Sequence, residues 1–121
     1  VGSSLLRSRS ATALSPADLV SARRRVTFHD AFFERLDELL PAERPGDGTP
    51  SRSDFMAFEL PPLVDLLAAE FERMTTVVPG VPGVRVLVAS GVLVDRIAIY
   101  VRELGPDAVE GLLLDLDLRV E

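Results

Sequence analysis

The sequence predicts an α+β domain in which a short first strand and two helices precede a three-stranded antiparallel meander, with the helices packed on one sheet face. Three observations carry this reading. Residues 84 to 120 alternate apolar and polar side chains at a period of two, residues 30 to 40 repeat apolar side chains at three- and four-residue spacing, and Gly/Pro clusters punctuate the segments between. The order of elements is β-α-α-β-β-β, and no internal repeat is visible.

Arg24-Arg25-Val26-Thr27-Phe28 reads as the first strand, with Val26 and Phe28 on one face and His29-Asp30 ending it. Asp30 is a natural N-cap for the helix that follows. In that helix Phe32, Phe33, Leu36, Leu39 and Leu40 form the apolar stripe, while Glu34, Arg35, Asp37 and Glu38 cover the other side. Pro41 stops it. Residues 41 to 50 form a loop rich in Pro and Gly, readable as a lid or as a tolerated insertion. Ser51 with Asp54 three residues on fits a capping box. The helix it opens carries Phe55, Phe58 and Leu60, then meets Pro61-Pro62, where it must kink or restart. A second segment from about Pro62 to Met74 would turn Leu63, Leu66, Leu67, Phe71 and Met74 to the core. Residues 75 to 83 read as a turn-rich connection.

The meander follows. In Val84 to Val88 the even positions are Val, in Arg96 to Arg102 the odd positions are β-branched, and in Leu112 to Val120 the even ones are aliphatic. Side chains on a strand alternate between faces. One face should therefore be apolar and the other should collect Arg85, Arg96, Tyr100, Arg102, Asp115, Asp117 and Arg119. Ser90-Gly91 and Gly105-Pro106-Asp107 are the expected hairpin turns. If Leu104 pairs near Val109, Arg96 falls opposite Asp117 and Tyr100 opposite Leu113; a two-residue slip places Tyr100 opposite Asp115.

Bulk properties bound the function. At 121 residues and 47% hydrophobic the chain has material for one core, so residues 23–121 are expected to form a single domain after a mobile N-terminal extension over residues 1–22. That extension is rich in Ser, Ala and Arg, and an organelle transit peptide is the alternative reading of it. Ser15-Pro16-Ala17-Asp18 could cap a short helix within it. No apolar run reaches the roughly 20 residues that span a bilayer, so no membrane partner is expected, and the expected compartment is the cytoplasm. Cysteine is absent, which excludes disulfides, thiolate nucleophiles and Cys-ligated metals. Residues 26 to 121 hold eight Arg and eighteen acids, a balance that repels phosphate backbones and disfavours nucleic acid as a partner, except through a ribosome.

The candidate site is the polar sheet face. Arg85, Arg96 and Tyr100 are the candidate catalytic residues, because Arg offers a rigid bidentate fork to an anionic or phosphate-bearing group. Arg102, Asp115 and Asp117 complete the candidate binding face. The same residues also read as cross-strand ion pairs on a solvated surface, each worth well under about 1 kcal/mol. Asp115-Leu116-Asp117 sets two carboxylates on one strand face, as a hard divalent cation would use, but further oxygen ligands are not evident and no metal is expected. His29, the one imidazole, sits at a strand-to-helix junction and reads as a capping or surface residue. No catalytic triad order, phosphate loop or zinc-ligand spacing is present, so no cofactor is expected.

Arg25-Val26-Thr27-Phe28 leading into Asp30-Ala31-Phe32-Phe33-Glu34-Arg35-Leu36, Pro82-Gly83-Val84-Arg85-Val86-Leu87 at the start of the meander, and Asp95-Arg96-Ile97-Ala98-Ile99-Tyr100 on its middle strand together resemble the RelE/ParE superfamily of bacterial toxin domains. The resemblance covers residues 24 to 120 and rests on element order and scattered Arg and Tyr positions. It implies a toxin that cleaves messenger RNA on the ribosome or inhibits DNA gyrase, silenced by a cognate antitoxin. Arg85 and Arg96 would match basic residues of the meander, and Tyr100 would stand near the active face. The family's ribonucleases are basic, with Lys, His or Tyr near the C-terminus, whereas this chain ends Asp-Leu-Asp-Leu-Arg-Val-Glu. The resemblance therefore favours action through protein contacts, as a divergent toxin or a non-catalytic relative, with an antitoxin-like protein or a second copy as partner. The alternative is a small non-enzymatic interaction module, dimeric through its helices or an edge strand.

Overall fold

A computed structural model of the chain describes residues 23–118. The expected extension over residues 1–22, with its Ser15-Asp18 cap, and Arg119 lie outside the described residues. The fold is α+β: a five-stranded mixed sheet with helices on one face. Strand β1 (Arg25–Phe28) leads into helix α1 (Asp30–Leu39), followed by α2 (Arg52–Asp54), a π-helical turn (Phe55–Glu59), α3 (Leu60–Ala69) and the short α4 (Phe71–Met74). Strands β2 (Thr75–Val77), β3 (Val84–Ala89), β4 (Arg96–Gly105) and β5 (Ala108–Asp117) complete the chain. Spatial order is β1-β5-β4-β3-β2, with β1 parallel to β5 and every other pairing antiparallel.

The sheet therefore has one strand more than the expected meander plus first strand. Thr75–Val77 pairs with Arg85–Leu87, and Pro79-Gly80 and Pro82-Gly83 make the turn of this hairpin, where both glycines take positive φ. Three residues with a single exposed Val give too short a pattern to separate from a loop. The β3 to β4 connection is also longer than a tight turn at Ser90-Gly91, extending through Asp95.

The core lies between the helices and one sheet face. Phe32, Leu36 and Leu40 of the first helical segment meet Phe55, Leu60, Leu63, Leu67 and Phe71 of the later ones. Against them pack Leu87, Ile97, Ile99, Val101, Val109, Leu114 and Leu116. The β4–β5 alternation thus partitions as the sequence implies, with Asp115 and Asp117 turned outward. Arg96 pairs with Asp117 and Tyr100 with Leu113. Nearer the turn the register shifts between Tyr100 and Val101, which pairs with Gly111, and Glu103 rather than Leu104 faces Val109. This bulge at Gly111-Leu112 reverses the parity of β5, so Val109 and Leu114 both point into the core. The Phe28 ring lies where a Cβ on Gly111 would be, which is why the position needs Gly.

Strand β3 has the opposite parity to the one expected. Leu87 is buried and Val88 exposed; Arg85, Leu87 and Ala89 pair with Val101, Ile99 and Ile97 and share their helix-covered face. Val84, Val86 and Val88 point to the other side. With four of five residues aliphatic, alternation alone does not orient this strand, and its one cation does not mark the outer face.

The double proline does not break the helix. Backbone angles stay helical from Asp54 to Leu60, and the Leu60 N–H reaches back five residues to the Phe55 carbonyl. This wider turn sets Pro61 and Pro62 in the first turn of α3, where missing N–H donors cost least. It also changes which side chains face inward. Glu59, four residues after Phe55, shares its buried face, and the wider π spacing swings Phe58 out to solvent. The break falls instead at Glu70, whose φ of −137° and ψ of 40° separate α3 from α4.

Two loops are tied down. The carbonyl of Pro41 accepts from the Arg52 N–H at 2.9 Å, and Arg44 donates two hydrogen bonds to Asp54 at 3.0 and 2.7 Å. These pin residues 41–50 to the α2 start, where Ser51 and Asp54 form the expected capping box. Across the molecule, the carboxylate of Glu59 is buried and accepts from Val92 N–H (2.8 Å), Leu93 N–H (2.8 Å) and Val94 N–H (3.1 Å). A Cβ on Gly91 would lie 2.5 Å from Glu59 Oε2, so Gly lets the loop backbone close on the acid.

Candidate functional site: the uncovered sheet face

Because all the helices lie on one side, the opposite face is left open among the described residues. Pairing register assigns its side chains. A central row runs Thr76, Val86, Tyr100 and Leu113 across β2, β3, β4 and β5. On one side of it lie Val84, Arg102, Glu110 and Thr27, and on the other Val88, Ala98 and Asp115, with Arg96 and Asp117 beyond. Arg25 projects on this same face at the β1 end, since Val26 and Phe28 pack inward.

The middle of this surface is apolar and its margins are charged. Val88 and Leu113 are 50% and 48% exposed, and Val84, Val86 and Tyr100 are half-buried by their neighbours. Arg96 Nε stands 2.9 Å from Asp117, and Arg102 contacts Glu110 at 2.9 Å. Asp115 lies 3.5 Å from Arg35, which reaches round from α1, and also accepts from the Leu116 N–H at 3.1 Å. Exposed pairs of this kind contribute under about 1 kcal/mol each. Their effect is to hold guanidinium groups in place along the rim.

Arg96, Tyr100, Arg102, Asp115 and Asp117 thus share one face. Arg85 does not. On the helix-covered side its Nε donates to Thr75 Oγ1 at 2.7 Å and its Nη2 to the Thr75 carbonyl at 2.8 Å and the Glu72 carbonyl at 3.3 Å. Its guanidinium lies 5.6 Å from the centre of the Phe71 ring, over which Arg24 also sits at 4.7 Å while ion-paired to Glu103. Arg85 is a tether joining β3 to the end of α4. The three candidate catalytic residues therefore do not converge on one point.

Sequence reasoning missed Arg25, Glu110 and the three valines of β3 as members of the face. Glu110 was hidden by the parity change at the bulge, and the valines by the uniformly aliphatic strand. His29, not Asp30, is the N-cap of α1: its Nδ1 accepts from the Ala31 N–H at 3.0 Å, a local role for the single imidazole. Among the described residues no group of three His, Asp or Glu side chains is placed to hold a metal ion. No described helix is long and apolar enough to cross a membrane.

A second feature lies on the helical side. Phe33, Leu36, Met56 and Ala57 line an apolar groove of about 460 Å³ between α1 and the π turn, with the Asp37–Arg52 pair, 2.7 Å apart, also in its lining. Comparison of the chain with protein-family models, curated proteins and solved structures gives no match.

Proposed function

We propose that this domain acts through protein contacts, without catalysis, and that its uncovered sheet face is the binding surface. The observation that carries the reading is the Val86-Tyr100-Leu113 row with Val84 and Val88 beside it, apolar at the centre and ringed by oriented ion pairs. Apolar centres with polar rims, anchored by a Tyr, are the usual anatomy of a protein interface. The acidic chain weighs against a nucleic-acid ligand, and the separation of Arg85 from Arg96 and Tyr100 removes the arginine cluster that phosphoryl chemistry would require. The test is co-purification with the product of a neighbouring reading frame. Retention by the native chain and its loss in Leu113→Asp support the reading; retention unaffected by Leu113→Asp excludes this face.

The RelE/ParE resemblance supplies a second reading, supported by the succession β1, α1, the later helices and the β3-β4-β5 meander. Under it the domain is a divergent toxin or a non-catalytic relative. Expression of a toxin arrests growth, and Arg96→Ala or Arg85→Ala relieves the arrest. Normal growth on expression removes the toxin reading and leaves the contact domain standing.

A further inference from the structure

We infer that the occupant of the uncovered face is a second copy of this chain, docked face to face so that two sheets form the centre and the helices lie outside. This rests on the protein-contact reading above and names its partner. The first support is charge. The chain carries a net charge of −6, so two copies repel over most of their surfaces. On the open face Arg25, Arg96 and Arg102 are matched one for one by Glu110, Asp115 and Asp117, which makes it a neutral surface on an acidic molecule. A strongly basic partner would be drawn to the acid excess elsewhere, whereas a copy of the same acidic chain approaches most easily here.

The second support is the layout of the rows. A closed dimer presents the same patch twice about a two-fold axis. With that axis along the Val86-Tyr100-Leu113 row, Tyr100 meets Tyr100 and the Val84 row of one copy covers the Val88 row of the other. Arg102 of each copy then lies over Ala98 and beside Asp115 of the other, which offsets the approach of Glu110 to that same Asp115. Arg25, which has no ion-pair partner among the described residues, is carried toward Asp117 of the second copy. Size sets the strength. Five strands about 4.8 Å apart, with roughly five residues of about 3.3 Å each, give a footprint of roughly 24 by 17 Å. Over both copies this is on the order of 800 Å², below the ~1,200 Å² where stable interfaces begin, so the association is weak and transient, in the tens of micromolar.

Sedimentation of the full chain from roughly 1 to 100 µM tests this. The expected result is a shift from 13.1 kDa to twice that mass, strengthened by added salt because screening removes the residual repulsion. Val88→Asp and Leu113→Asp, both at half-exposed positions that tolerate polar groups in the monomer, should each weaken association at least tenfold with an unchanged circular dichroism spectrum. Arg25→Glu should weaken it several-fold, and Met56→Asp in the helical groove should leave it unchanged. A chain that stays at 13.1 kDa throughout, whether its face is free, covered by residues 1–22 or taken by another protein, overturns the inference. So does a dimer that survives Val88→Asp and Leu113→Asp. If the monomeric chain still retains a different protein and loses it in Leu113→Asp, self-docking fails while the contact reading stands.

Discussion

Glu59 shows how one side chain can determine a local architecture that no sequence pattern announces. A carboxylate between Phe58 and Leu60 on an apolar helix would ordinarily be assigned to solvent. Here it shares the buried face of Phe55 four residues earlier, where it accepts three backbone N–H groups and closes the β3 to β4 connection onto the helices. Glu59→Gln keeps the shape but replaces one acceptor oxygen with a donor facing an N–H. The expected cost is about 1–3 kcal/mol in denaturant unfolding, with faster hydrogen exchange at Val92, Leu93 and Val94. Unchanged exchange at those amides would separate the acid from the loop. Asp54 makes a pH-dependent contribution. Hydrogen bonding from Arg44, then from the Ser51 backbone N–H, holds its carboxyl well below the ordinary value of 3.8. Since the folded state favours the ionised form, this contribution is complete above that value and is lost as pH falls through the lower folded one. Asp54→Asn should therefore be less stable than the native chain at pH 7, the gap closing progressively below about pH 4 in acid titrations of unfolding.

At the level of elements, what could be read and what could not follow from how much contrast each segment offered. The strand before His29, the α1 stripe, the Ser51-Asp54 cap and the pairing of Arg96 with Asp117 were legible because polar and apolar residues there differ sharply at the right period. The bulge was not, since Gly111-Leu112-Leu113-Leu114 is apolar throughout and its parity change leaves no mark. Beside it the Phe28 ring packs on Gly111, a contact distant in sequence. Gly111→Ala should force that ring aside and cost about 1–3 kcal/mol, read as a lowered denaturation midpoint. A neutral result would mean that the β1–β5 pairing is looser than described. The candidate site was legible on β4 and the distal half of β5, where charged residues alternate. It was misread on β3, where the Arg85 guanidinium lies over the Phe71 ring and donates to backbone carbonyls, an arrangement open to an arginine beside a sheet edge.

For the whole molecule, the account depends on a one-sided sheet: Leu87, Ile97, Ile99, Leu114 and Leu116 sealed beneath helices, and Val86, Val88, Tyr100 and Leu113 left for a partner. The absence of cysteine makes this division directly measurable, since a single introduced thiol is the only one in the chain. Maleimide labelling of Val86→Cys and Leu87→Cys compares adjacent residues on opposite faces of β3. The account predicts rapid labelling of Val86→Cys in dilute protein, slowing as the chain is concentrated and the face is covered, with Leu87→Cys slow at every concentration. Labelling of Leu87→Cys as fast as Val86→Cys in folded protein would contradict it.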